Sequence, residues 1–161
     1  MRVFVTGASG WIGSAVVPEL IGAGHQVVGL ARSDASAETV AACGAEVLIG
    51  DVQDVDVLRT GAEQTDAVVH LAFRHDIAWT GQFEEAAASD RRAIEVFGDV
   101  LSGTDRPLAV ASGIAGVRPG GIATERDLPS DGVSPRVASE RAVLALAERG
   151  VRSMSLRFAP T

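Results

Sequence analysis

Residues 6–13 read Thr-Gly-Ala-Ser-Gly-Trp-Ile-Gly and join two apolar segments of the chain. Residues 2–6 are apolar and β-branched, which predicts a short buried strand. Residues 11–21 carry apolar side chains at helical spacing and are followed by glycines, which predicts a helix. A glycine triplet between a strand and a helix is typical of dinucleotide-binding turns, because backbone N–H groups and the helix dipole face the pyrophosphate. The alternative is a tight strand–helix turn that binds no ligand.

Each glycine of this turn has its own expected role. Gly7 takes the tight turn, Gly10 lets the backbone approach the pyrophosphate, and Gly13 lets the helix pack close to the sheet. We predict that a dinucleotide contacts the following residues of the turn: Gly7, Ser9, Gly10, Trp11, Ile12 and Gly13.

Strands and helices alternate along the rest of the chain. Further strands are predicted at 26–30, 45–49, 67–70, 108–111 and 151–158. Further helices are predicted at 35–43, 54–61, 83–101 and 137–147, and residues 113–135 form a long loop. Continuously apolar strands that alternate with helices predict a parallel sheet covered on both faces. The fold class is therefore α/β, a doubly wound parallel sheet (Rossmann fold) of six strands in one domain, 1–161.

Composition excludes several classes of protein. Hydrophobic residues make up 47% and charged residues 22% of the 161, which is ordinary for a globular domain. No apolar run is long enough for a membrane span, and the N-terminus turns polar too early for a signal peptide. A net charge of −7 argues against nucleic-acid binding, and a single cysteine excludes internal disulfides and a cysteine-built metal site. We expect a cytoplasmic protein without a metal.

The turn pattern T-G-x-x-G-x-x-G resembles the fingerprint of the extended and atypical short-chain dehydrogenases/reductases, the epimerase/dehydratase-like group. Gly50-Asp51-Val52 resembles the family segment beside the adenine, and His70-Leu71-Ala72-Phe73 resembles its H-L-A-A motif, which lines the cofactor. The resemblance therefore implies cofactor contacts at Asp51, Val52, Leu71, Ala72 and Phe73. Further matches are Ala111-Ser112-Gly113, Ala123-Thr124-Glu125, Ser134-Pro135 and Arg157-Phe158-Ala159-Pro160.

The end of the second strand bears on the choice of cofactor. An acidic residue there accepts the ribose hydroxyls of NAD and repels a 2′-phosphate. This sequence has Ala31 at that position, followed by Arg32 and Ser33. The arginine fork suits a phosphate, so Arg32 and Ser33 favour NADP(H), with NAD(H) possible. Alternatively, Arg32 is a solvated surface residue; Asp34 is a competing carboxylate that could instead cap the next helix.

The family's usual Ser, Tyr and Lys set is incomplete here, because the chain contains no Tyr and no Lys. In the segment that resembles P-Y-x-x-S-K, Arg136 stands at the Tyr position and Glu140 at the Lys position. Asp90 stands where the family often has Asn, and Ser112 is the retained serine. We predict catalytic roles for Ser112, which would orient a carbonyl, and Arg136, which would bind an anionic or carbonyl group. The alternative for Ser112 is that a crowded strand end requires a small residue. The alternative for Arg136 is that it forms an exposed ion pair with Glu140.

An arginine does not shuttle protons near neutral pH, so another acid would be required. His75, His70 and Glu125 are the candidates. His70, in the strand-four motif, is expected to be packed and hydrogen-bonded. His75, in a polar loop, is the better candidate for titration, although a plain surface position is the stronger expectation.

Three functions remain open. The first is an NADP(H)-dependent oxidoreductase or epimerase/dehydratase-like enzyme without the usual Tyr/Lys pair; the second is a non-catalytic NADP(H) sensor. In the third, helices 83–101 and 137–147 pair with a second copy as a homodimer. Extended members of the family are about twice as long, and their second half supplies the substrate domain. The chain would thus be a fragment or a bare cofactor-binding domain, with an unknown small-molecule substrate.

Overall fold

The computed structural model describes residues 1–114, 117–130, 132 and 134–159. Six strands form one sheet: β1 Arg2–Thr6, β2 Gln26–Ala31, β3 Glu46–Ile49, β4 Ala67–His70, β5 Pro107–Gly113 and β6 Arg152–Phe158. Their order is β3-β2-β1-β4-β5-β6, and every neighbouring pair is parallel. The α/β doubly wound fold predicted from the sequence is confirmed.

Six α-helices connect the strands. They are α1 Gly13–Gly22, α2 Asp34–Ala42, α3 Val55–Glu63, α4 His75–Ala78, α5 Phe83–Leu101 and α6 Arg136–Ala145. A short 3₁₀ segment, Leu146–Arg149, continues α6 and ends at Gly150 in the left-handed region. Within the described residues, no helix is both long and apolar enough to cross a bilayer.

The sheet separates two apolar cores, and alternate side chains of β1 enter different ones. Phe4 packs in the core covered by α3, α5 and α6, where its ring meets the edge of Phe97 at 6.2 Å between centroids. Val5 points to the other core, where it joins Val17 of α1 and Val40 of α2. Burial of each such side chain stabilises the fold by about 1.5–3 kcal/mol. These two layers fix the direction of all six strands.

Three local features differ from the predicted elements. The helix predicted from residue 11 begins at Gly13, because residues 10–12 complete the turn; Trp11 is 88% exposed. The four-residue α4 was not predicted at all, since it is too short to show a helical period. In the predicted loop 113–135, Val117 and Pro129 form an isolated antiparallel bridge. Pro160 of the strand-six motif and the end of the predicted domain lie outside the described residues.

Candidate cofactor-binding cleft

The glycine-rich turn is built so tightly that two of its glycines are sterically required. Gly7 has φ +70°, and a Cβ there would lie 2.7 Å from the backbone nitrogen of Ala72. A Cβ on Gly13 would lie 2.1 Å from the carbonyl oxygen of Gly7. Gly10 donates its N–H to that same carbonyl at 3.0 Å, which closes the turn. The start of α1, whose N-cap is Ile12, is not capped by a side chain. The N–H groups of Ser14 and Ala15 bond to backbone carbonyls of the turn, at 2.8 and 3.1 Å, and an anion placed here would meet the positive end of the helix dipole.

A cavity of about 370 Å³, here called the central cleft, opens beside this turn. It lies at the carboxyl ends of β1, β2 and β4, where the strand order reverses and where doubly wound folds bind ligands. All the predicted cofactor residues except Ser33 line it, namely Gly7, Ser9, Gly10, Trp11, Ile12, Gly13, Arg32, Asp51, Val52, Leu71, Ala72 and Phe73. Their contacts with a cofactor stay a prediction. Six further residues line the cleft without having been predicted to contact a cofactor: Leu30, Ser36, Gly50, Arg74, His75 and Asp76. Of these, Gly50 lies in the segment expected beside the adenine, and His75 was a candidate acid.

Ser33 caps α2 instead of lining the cleft. Its Oγ accepts the N–H of Ser36 at 3.3 Å, and Ser36 Oγ in turn accepts the N–H of Ser33 at 3.0 Å. This reciprocal pair is a capping box, and it takes the role that the sequence analysis considered for Asp34, which lies in the first turn. The spacing Ser-x-x-Ser before a helix was the signal that could have revealed it.

Charged side chains form the outer wall of the central cleft. Arg32 Nη1 lies 3.5 Å from Asp76 Oδ2, and Arg74 Nη2 lies 3.3 Å from the same oxygen. Arg74 also donates from Nη1 to Gln53 Oε1 at 2.8 Å. The hydrogen bond from Arg74 lowers the pKa of Asp76, with smaller help from Arg32. Asp76 therefore carries a negative charge at neutral pH between two guanidinium groups.

His75 lies among aromatic side chains at the same wall. Its ring packs on Phe73 at 5.1 Å between centroids and stacks on Trp79 at 5.5 Å. Burial and the nearby Arg136 lower the pKa of His75 from its ordinary 6.5, while Asp76 acts in the opposite direction. The imidazole is thus mainly neutral at pH 7 and can accept a proton.

A buried polar chain runs from β1 to α6 behind the central cleft. Thr6 Oγ1 and His70 Nδ1 are hydrogen-bonded at 2.7 Å, and His70 Nε2 lies 3.3 Å from Asp90 Oδ1. His70 is 1% and Asp90 3% exposed. Burial opposes ionisation of Asp90, but His70 and Arg136 outweigh it and lower the pKa of that carboxyl. The prediction that His70 is packed and hydrogen-bonded is confirmed.

Arg136 ends this chain at the edge of the cleft. Its guanidinium lies 4.3 Å above the ring centre of Phe73, and its Nη2 lies 3.8 Å from Asp90 Oδ1. Nη2 also donates to the carbonyl of Ala111, whereas Nε, which is itself buried, has no hydrogen-bond partner among the described residues. The side chain is 21% exposed, so part of the guanidinium is accessible at this edge.

Glu140 does not pair with Arg136, so the interpretation as an exposed ion pair is wrong. Glu140 is 3% exposed, and its Oε1 accepts from Arg157 Nε at 2.6 Å and from Ser155 Oγ at 3.1 Å. Ser112 Oγ donates to Oε2 of the same carboxylate at 3.3 Å. The structure therefore brings Ser112 to Glu140 and Arg136 to Phe73, and the two predicted catalytic residues bond to different partners. Ser112 and Arg157 are far from Glu140 in sequence, so no local sequence pattern predicts these contacts.

Glu140, Arg157 and Ser155 border a second cavity, of about 850 Å³, on the β6 side of the sheet. Its other walls are mainly apolar, with Leu144, Met154, Leu156 and Phe158 among them. Glu125, the third candidate acid, lines this second cavity and not the central cleft.

Comparison with known proteins places this geometry in context. The sequence matches the NAD dependent epimerase/dehydratase family over residues 3–96. An uncharacterized protein of Schizosaccharomyces pombe is 44% identical over 163 residues, which cover 100% of this chain and 54% of the relative. The chain spans about half the length of the curated relatives it matches.

Solved structures show the same fold. UDP-glucose 4-epimerase from Thermotoga maritima is similar with a TM-score of 0.77 and 21% identity, over 98% of this chain and 55% of that one. MoeE5, solved in complex with UDP-glucuronic acid and NAD, is similar with a TM-score of 0.67 and 29% identity, over 99% of this chain and 53% of that one.

Proposed function

Because the chain belongs to the NAD dependent epimerase/dehydratase family, we propose that it forms the NADP(H)-binding half of an oxidoreductase or epimerase-like enzyme. The observation that carries this proposal is the uncapped start of α1 behind a turn in which Gly7 and Gly13 have no room for a side chain. MoeE5, which is similar over nearly the whole chain, was solved with NAD. Activity, substrate and partners of the whole protein are part of the proposal.

In this proposal the pyrophosphate lies over residues 7–13 and the adenosine end extends toward Arg32. The wall there supplies guanidinium groups, which bind a 2′-phosphate more strongly than a neutral hydroxyl. Arg32→Ala is expected to weaken NADP binding by about 1–3 kcal/mol and NAD binding little. A nicotinamide cofactor supplies the hydride chemistry when bound, and the chain supplies position and charge.

The residues at the Phe73 end of the cleft suggest how a substrate is held without Tyr or Lys. Arg136 carries a permanent positive charge on a partly exposed side chain, which suits a carboxylate or another anionic group. His75, whose pKa is lowered by partial burial and by Arg136, is neutral at pH 7 and would accept a proton from a substrate hydroxyl; it does not supply the acid that carbonyl reduction needs. To orient a carbonyl, the Ser112 hydroxyl must first break its hydrogen bond to Glu140. The catalytic role predicted for Ser112 therefore has less structural support than the role predicted for Arg136.

The glycine-rich turn provides the first test. Gly10→Asp places a carboxylate where the pyrophosphate would lie, while its Cβ meets only the Gly7 carbonyl oxygen, at 3.2 Å. Isothermal titration calorimetry of this variant is expected to show NADP and NAD binding weakened at least about 100-fold, because like charges meet and N–H donors are blocked. Gly22→Asp, at the far end of α1 with open space around its Cβ, is the matched control. Equal affinities in wild type and Gly10→Asp would contradict the proposal.

A second candidate, a non-catalytic NADP(H) sensor, is favoured by Arg136 at the Tyr position and by the absence of Lys from the sequence. General acid help is worth about 10²–10⁴-fold in rate, so its loss leaves slow turnover at best. An assay of NADPH oxidation by the full-length protein distinguishes the two functions. Its substrates are a panel of carbonyl compounds, some with a carboxylate group and some without. Turnover that requires the carboxylate and falls in Arg136→Ala supports the enzyme, whereas binding without turnover supports the sensor.

A further inference from the structure

We propose that Asp76 acts as an internal anion in the site for the cofactor's 2′-phosphate, and that Arg74 is the second cation of this site. This inference rests on the proposed function and adds the residue that decides between NADP and NAD. Neither residue belongs to the end of β2, where the sequence predicts the determinant. Both lie at the start of α4, and Asp76 meets Arg32 at the outer wall of the central cleft.

At this wall the Asp76 carboxylate lies between two arginines, as a bound anion would. A single carboxylate oxygen, Oδ2 of Asp76, lies 3.5 Å from Arg32 Nη1 and 3.3 Å from Arg74 Nη2. All three side chains line the central cleft. Two guanidinium groups that converge on one carboxylate oxygen would donate to a phosphate oxygen in the same manner. A phosphate carries more negative charge and more acceptor oxygens than a carboxylate.

The three side chains differ in how readily they move. Arg74 is anchored twice, by Asp76 and by Gln53 Oε1 at 2.8 Å, and its side chain is only 18% exposed. Asp76 is 41% exposed and belongs to the four-residue α4. The carboxylate can therefore rotate toward solvent while Arg74 stays in the wall, held by Gln53. An exposed ion pair of this kind contributes little to stability, so a ligand displaces it at low cost.

The charge of Asp76 has opposite consequences for the two cofactors. For NADP, the carboxylate competes for both arginines and repels the phosphate. For NAD, the same carboxylate can accept a hydrogen bond from the ribose 2′-hydroxyl. Asp76 thus reduces the NADP preference that Arg32 and Arg74 would otherwise give, and its removal is expected to increase that preference.

The test is calorimetric titration with NADP, NAD and 2′,5′-ADP, a probe that has the 2′-phosphate and lacks nicotinamide. Asp76→Asn is expected to bind NADP and 2′,5′-ADP about tenfold more tightly and NAD no more tightly than wild type. Arg74→Ala is expected to weaken NADP and 2′,5′-ADP about tenfold and to leave NAD within about twofold. Asp99→Asn, an exposed residue outside the cleft whose carboxylate pairs with Arg149, makes the same change in net charge and is the matched control.

The outcomes separate this inference from the proposed function. If wild type binds NADP and NAD but Asp76→Asn leaves their affinity ratio unchanged, or Asp99→Asn shifts it equally, the inference is wrong and the proposed function stands. If wild type binds no nucleotide at millimolar concentration, both are wrong. Thermal unfolding followed by circular dichroism verifies that each variant is folded before titration.

Discussion

Two arginines at opposite ends of the sheet use their donors in opposite ways. Arg106 lies before β5 at the amino ends of the strands, and its Nη1 donates to the carbonyls of Ala62 at 3.0 Å and Thr65 at 2.8 Å. Its Nη2 donates to the carbonyl of Val100 at 3.0 Å, and its Nε to Thr104 Oγ1 at 3.2 Å. Arg136, at the carboxyl ends, donates to one carbonyl and has an unpartnered Nε.

The helix ends explain the difference. Arg106 meets carbonyls at the C-terminal ends of α3 and α5, where a positive charge is favourable. Arg136 is the first residue of α6, where the helix dipole disfavours a cation. Arg106 belongs to the fold because its donors are committed to helix ends. Arg136, partly exposed at an unfavourable helix end, would gain more from an external anion. Substitutions at the two positions are therefore expected to affect different properties.

The largest expected effect is on stability, at Arg106. Arg106→Ala is expected to lower the free energy of unfolding by roughly 2–4 kcal/mol, because three partly buried carbonyls lose charge-assisted hydrogen bonds. Nucleotide affinity is expected to be unchanged. Urea unfolding followed by circular dichroism measures the change, with Arg149→Ala as control, since Arg149 pairs with Asp99 at 2.9 Å on the surface and contributes less than about 1 kcal/mol. Equal losses in both variants would refute the comparison.

Arg136→Ala is expected to have a smaller effect on stability and a clear effect on the electrostatics of the cleft. The free energy of unfolding is expected to fall by about 1 kcal/mol, through lost stacking on Phe73 and a less compensated Asp90. Because Arg136 lowers the pKa of His75, its removal is expected to raise that pKa. NMR titration of the imidazole measures the shift; an unmoved His75 would show that Arg136 does not act on the cleft.

The smallest expected effect concerns acid stability. The pKa of Asp90 is lowered from its ordinary 3.8, so its ionised form stabilises the fold above that pH. This contribution is lost as the pH falls from about 4 through the lower folded-state value. Asp90→Asn is expected to be less stable than wild type at pH 7 and to show a shallower loss of unfolding free energy below pH 4. If the unfolding free energies of wild type and Asp90→Asn fall equally below pH 4, protonation of Asp90 is not coupled to unfolding.

The parts of the molecule that were predictable depend on neighbours in sequence. The turn at residues 6–13 and most of the strands follow from glycine spacing and continuous apolar runs, which constrain the local backbone directly. Asp76 and Arg74 were missed because α4 is too short for a pattern. The partners of Glu140 were missed because Arg157 is 17 residues away and reaches it only through the packing of α6 on β6. Homodimer formation through helices 83–101 and 137–147 stays a prediction.

The positions of the two tryptophans have a spectroscopic consequence. The chain has two Trp and no Tyr, so its near-ultraviolet emission comes from Trp11 and Trp79. Both indoles are largely in water, at 88% and 80% exposure; Trp11 lines the central cleft, and Trp79 stacks on His75. Emission is therefore red-shifted already in the folded protein, and unfolding changes its wavelength little. If the proposed function holds, a bound nicotinamide cofactor is expected to quench Trp11, which lines the cleft, so intrinsic fluorescence would report its binding.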